Sequence, residues 1–152
     1  MLWNAKQSST SSISKGVTMS TNLYAEEIIS NYEHPHNKGR MENADASFEE
    51  HNPVCGDDIK VYLKISGDKV NDAKFDGEGC SISTAGASML TDYVKGKSIK
   101  ELSEMGVKDM VNLLGIEPGP ARLHCATISL KALKEAIFIY EHKEVDENTK
   151  NL

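Results

Sequence analysis

No Cys-x-x-Cys pair occurs in this chain, and cysteine is scarce: three in 152 residues. An odd count leaves one thiol over in any disulfide framework, and a chain of this length buries a core without staples. Three scattered thiols point instead to a reducing compartment such as the cytoplasm. No apolar run approaches the roughly 20 residues that cross a bilayer as a helix, so no membrane span is expected. Basic residues are outnumbered, 17 Lys and Arg against 23 Asp and Glu, giving a net charge of −6. That balance argues against general nucleic-acid binding, which rests on neutralising phosphates. It leaves room for a partner with a basic surface.

What is present reads as one domain with two ragged ends. Residues 1–18 hold Ser, Thr and Lys but no acid, no Arg and no apolar periodicity. Such a stretch cannot bury enough apolar surface to offset its ordering entropy. It lacks the apolar core of a secretory signal, and the missing Arg argues against a transit peptide. Met19 is a candidate natural start. Residues 1–21 are therefore expected to be a disordered extension, 22–142 a single domain, and 143–152 a charged tail that frays.

Within the domain, Leu23, Ile28 and Ile29 recur at near-helical spacing behind a possible Asn22 cap. Pro35 and Gly39 end that helix. Three strands are expected next, at Ala46–His51, Ile59–Ser66 and Val70–Asp76. In the second, Ile59, Val61, Leu63 and Ile65 alternate against Lys60, Tyr62 and Lys64, the pattern of a half-buried antiparallel strand. Gly67-Asp68 makes the turn between the last two. Helices follow: Ser81–Val94, a short one opened by the Ser98-x-x-Glu101 capping box, Val107–Leu114, and a last one from Ala121 or Cys125 to Glu141. The order implies an α+β fold, a three-stranded antiparallel sheet with helices on one face.

Each cysteine stands at a loop or a helix start. Cys55 lies in Asn52-Pro53-Val54-Cys55-Gly56-Asp57, a tight loop with a carboxylate two residues on. Cys80 follows Gly77-Glu78-Gly79 where a strand gives way to a helix. Cys125 follows His124 at the start of the last helix. Orphan amides and the positive end of the helix dipole favour thiolate at such positions. Three thiolates with an Asp or a His form a set of soft and borderline ligands, suited to zinc or to an iron–sulfur cluster. The competing reading is three buried structural cysteines and a turn aspartate. His34, His36, His51 and His142 read as surface or loop residues, and Lys131 as one cation on a solvated helix face.

The stretches NPVCGD, GEGCSIS and LHCATISLKAL resemble the three cysteine motifs of the IscU/SufU/NifU N-terminal family of cluster scaffolds, in order and in spacing. The resemblance extends from Leu23 to Tyr140. It implies an assembly scaffold, not a turnover enzyme, that accepts persulfide sulfur from a cysteine desulfurase, takes up iron, builds a [2Fe–2S] cluster and passes it to apo-proteins or a carrier. The alternative it implies is a zinc-dependent SufU-type sulfurtransferase. By resemblance Cys55, Cys80 and Cys125 are thiolate ligands, and Asp57 and His124 compete for the remaining position. Cys125 and Cys55 are the candidate persulfide acceptors. Zinc can fill the same site, and a homo-oligomer is left open. The chain mixes branches: it lacks the long SufU insertion before the last cysteine and carries His124 as the IscU branch does. Glu117-Pro118-Gly119-Pro120-Ala121-Arg122 stands where the IscU branch has its chaperone-recognition segment Leu-Pro-Pro-Val-Lys.

Overall fold

Alternation of apolar residues with Lys60, Tyr62 and Lys64 demands a strand with one face in a core, and the computed structural model of the protein has it as β2 (Asp57–Ser66). Residues 25–53, 56–142, 147–150 and 152 are described. The extension 1–21, the Asn22 cap, Leu23 and Cys55 lie outside the described residues. Strand β2 is central, flanked by β1 (Ala46–Asn52) and β3 (Lys69–Glu78), both antiparallel to it. Ile59, Val61 and Leu63 face inward and are buried, as are Val70, Ala73 and Phe75 of β3. A register shift at Lys64/Ile65 interrupts the β2–β3 ladder.

Helix α1 covers residues 25–33. The helices after the sheet are α2 (Ser81–Val94), α3 (Ile99–Ser103), α4 (Val107–Leu114), α5 (Leu123–Tyr140) and α6 (Glu147–Lys150), with a 3-10 turn at Pro120–Arg122. Helix α5 packs along β1 and β2, and α2 against β3 and α5. Leu90, Leu133 and Ile137 join the strand residues in one core. Ser98 caps α3 by accepting from the Glu101 amide at 3.1 Å. Gly115 closes α4 with φ 74°, a left-handed position that glycine takes without strain. The fold is α+β, with α2 and α5 layered on one face of the sheet.

Three elements run differently from the expectation, and two of them set the site. Strand β2 starts at Asp57, not Ile59, because Asp57 pairs with Asn52 across the hairpin. Strand β3 continues to Glu78, bringing the chain to Cys80 directly at the sheet edge. Gly77 is required there: a Cβ on it would lie 2.0 Å from the Asp58 carbonyl oxygen. The tail does not simply fray. Glu147–Lys150 form a helical turn, and Leu152 is buried in the main core. One apolar side chain at the end of a charged stretch is enough to dock it.

Candidate metal centre

The site is assembled by one strand start and two helix starts. Asp57 is the first residue of β2, Cys80 the N-cap of α2, and Cys125 lies in the first turn of α5. Alternation along β2 turns Asp57 inward, where it is 2% exposed. One carboxylate oxygen of Asp57 and the sulfurs of Cys80 and Cys125 all lie within 4.8 Å of one another. Cys80 is half-buried and Cys125 is buried, at 1% exposure.

Asp57 is held on both oxygens. Its Oδ1 accepts from the Cys80 amide at 3.0 Å, satisfying one of the orphan donors at the start of α2. Its Oδ2 accepts from the Ser83 hydroxyl at 2.9 Å. The Ser83 oxygen is also 3.1 Å from the Cys80 sulfur. Gly79 leaves room for this packing, since a Cβ on it would meet the Ser83 oxygen at 2.7 Å and Asp57 Oδ1 at 3.2 Å. Burial pushes the Cys80 thiol up. Hydrogen bonding with the Ser83 hydroxyl and amide and with Cys125 outweighs it, so the net shift is downward, against the opposing charge of Asp57. A lowered thiol is the form that ligates metal and attacks sulfur.

Of the other expected site residues, His124 lies outside this close set. Adjacent helical residues point about 100° apart, and with Cys125 turned inward His124 is exposed. Its Nδ1 is 3.1 Å from the Leu152 main-chain oxygen. That oxygen accepts, so Nδ1 is the donor and the lone pair of that neutral tautomer lies on Nε2. Cys55 falls outside the described residues. The Gly56 amide after it donates to the Asn52 carbonyl at 2.7 Å. A second group able to hold a cation, Glu49, His51 and Asp58, lies on the other face of the hairpin. It has no thiol, and His51 and Asp58 there form an ion pair. His36 is ion-paired to Asp92 at 2.5 Å, away from the cysteines.

Ser83 was not singled out by sequence reasoning, though its place three residues after Cys80 on one helix is a readable signal. Nor was the carboxyl pair beside the site. Lys131, read as a solvated cation, sits 3.9 Å from Glu50 with both side chains largely covered. It borders a cleft of about 420 Å³ shared with Glu50, His51, Pro53, His124 and Leu152. Glu135 interacts with that Glu50, its Oε2 buried and without a hydrogen-bond partner among the described residues. Burial first, then the hydrogen bond and charge of Glu50, push the Glu135 carboxyl up to about 8, with Lys131 opposing. The folded protein therefore keeps a proton that an ordinary carboxyl, at 4.5, has released. Stability should fall as pH rises between those values. Thermal melts of metal-free protein from pH 5.5 to 9 should show Tm declining by several degrees, and Glu135→Gln should flatten that slope.

The family profile described as NifU-like N terminal domain matches residues 23–147. The chain belongs to that family. A protein of Bacillus subtilis, the zinc-dependent sulfurtransferase SufU, is 40% identical over 132 positions, covering 76% of this chain and 89% of the relative. Those 132 positions exceed 76% of 152 residues, as expected if the relative carries residues this chain lacks. The iron–sulfur cluster assembly scaffold protein IscU of Escherichia coli is 34% identical, covering 79% of this chain and 95% of the relative. Among solved structures, a putative iron–sulfur cluster assembly scaffold protein for the SUF system from Fervidobacterium islandicum superposes with a TM-score of 0.63 at 27% identity. It covers 76% of this chain and 97% of that one. Among the described residues no helix is long and apolar enough to cross a membrane.

Proposed function

We propose that this protein is an assembly scaffold for iron–sulfur clusters. It accepts sulfur from a cysteine desulfurase and iron as substrates, assembles a [2Fe–2S] unit, and hands it to apo-proteins or a carrier in a reducing cytoplasm. The observation that carries the reading is the convergence of Asp57, Cys80 and Cys125 within 4.8 Å from three separate elements. Two soft thiolates with one hard carboxylate fit a site that must both hold and release metal. Cys55 supplies the third thiolate in this reading. Asp57 is the oxygen ligand, with His124 Nε2 as the exchange partner.

Burial of Cys125 weighs against it as the first receiver of sulfur, because attack needs an accessible thiolate. That leaves Cys55 of the two candidates. Its thiolate attacks the terminal sulfur of the donor's persulfide. The donor S–S bond breaks, and the donor cysteine departs as a thiolate.

The same donor set fits zinc, and the 40% identical relative is a zinc-dependent sulfurtransferase. The second reading is therefore a zinc-held thiol site that relays sulfur without building a cluster. Metal and acid-labile sulfide analysis of protein purified without oxygen separates the two. Reconstitution with iron and a desulfurase should yield iron, sulfide and a visible chromophore that transfers to an apo-protein. Tight zinc, strong stimulation of the desulfurase and no transferable sulfide would establish the sulfurtransferase in its place.

A further inference from the structure

Ser83 is fully buried and its hydroxyl touches two residues of the metal centre without being a metal ligand in the set above. We propose that Ser83 is a positioning residue for that centre: its hydroxyl, opposite the Cys80 amide, fixes the Asp57 carboxylate in the orientation that lets it serve as the oxygen ligand. The proposal rests on the reading that Asp57 and Cys80 bind metal.

The hydroxyl has a single proton and three neighbours that could accept it. Asp57 Oδ2 is at 2.9 Å, the Cys80 sulfur at 3.1 Å and the Cys80 carbonyl at 3.4 Å. A charged oxygen at the shortest distance is the strongest acceptor. Ser83 therefore acts on the carboxylate more than on its own helix, where a serine in the first turn would ordinarily be spent. Oδ1 accepts from the Cys80 amide and Oδ2 from Ser83, and the longer contact from the Cys80 thiol to Oδ2 at 3.9 Å is lost once that sulfur ligates as a thiolate. Each oxygen keeps a second lone-pair direction for a metal. The two donors hold the carboxylate from both sides, so it cannot rotate away, yet neither occupies the whole of it. Groups that orient a ligating carboxylate in this way govern how well it binds.

Cobalt(II) loading without oxygen tests this on the protein as it exists. Wild type should take up Co²⁺ with thiolate charge-transfer bands and a ligand-field spectrum. Ser83→Ala should lower its affinity, measured against a chelator, by about 10–100-fold and shift the ligand-field bands. Ser83→Thr, which keeps the hydroxyl, should restore most of both. The control is Ser88→Ala in the same helix. That buried hydroxyl bonds Asn31 at 2.6 Å and receives the His36 amide at 2.8 Å. Its loss should lower Tm and leave Co²⁺ affinity and spectrum unchanged. Wild-type affinity and spectrum in Ser83→Ala would overturn the proposal, as would equal losses in Ser83→Ala and Ser88→Ala. Absence of thiolate bands in wild type would instead overturn the ligand reading beneath it.

Discussion

Alanine at Cys80, and separately at Cys125, should abolish the reconstituted chromophore and lower Co²⁺ affinity by more than about a hundredfold, beyond what loss of a group outside the ligand set produces. The two sulfurs and the Asp57 oxygen share one small space. Removing either sulfur leaves two thiolates in the chain, and among the described residues no further ligand group lies in the close set to take its place. Folding should survive both changes. Cys80 is only half-buried, and Cys125→Ala deletes one atom from a helix whose other buried residues, Leu130, Leu133 and Ile137 among them, remain. A loss of about 1 kcal/mol is the scale for so small a core deletion. Unchanged far-UV circular dichroism with no chromophore is the expected pair of results. A chromophore that persists in Cys80→Ala would remove Cys80 from the ligand set.

The helices were the legible part of this fold. Val94 and Gly96 mark the end of α2, and Gly115 marks that of α4, because capping chemistry is local and written in single residues. Alternation in Ile59–Ile65 was equally plain. Less legible was the start of β2. Asp57 has poor strand propensity and sits two residues after a cysteine loop, so the chain near it suggests a turn. Its place in the ladder comes from pairing with Asn52 and from donors on α2 that are more than twenty residues away in sequence. The Glu50–Glu135 contact is hidden for the same reason, since a carboxyl on a strand and one on a helix carry no mutual signature. The docking of Leu152 is hidden likewise, because what it packs against is brought together only in the folded core. The placement of Cys80 and Cys125 at helix starts was readable. The separation of His124 from Cys125 was not, because it depends on how α5 is rotated against the sheet.

Asp57 carries two duties that substitution should separate. As an acceptor it satisfies the Cys80 amide and the Ser83 hydroxyl in a buried setting. Asp57→Ala strands both donors, and a stranded buried group costs about 1–3 kcal/mol. Metal-free Asp57→Ala should therefore melt several degrees below wild type. As a ligand, Asp57 supplies the hard oxygen in an otherwise soft set, and iron held by thiolates alone is released less readily. Asp57→Cys tests that duty on the loaded protein, since it replaces the oxygen with a fourth thiolate; its loss of both acceptors is read separately, as a metal-free melting point lowered like that of Asp57→Ala. Reconstituted Asp57→Cys should form the chromophore and keep it against a chelator. Transfer to an apo-protein should slow by about tenfold or more, the rate equivalent of about 1.4 kcal/mol of added stability in the loaded scaffold. Transfer at the wild-type rate would mean that the carboxylate anchors α2 and has no part in releasing the cargo.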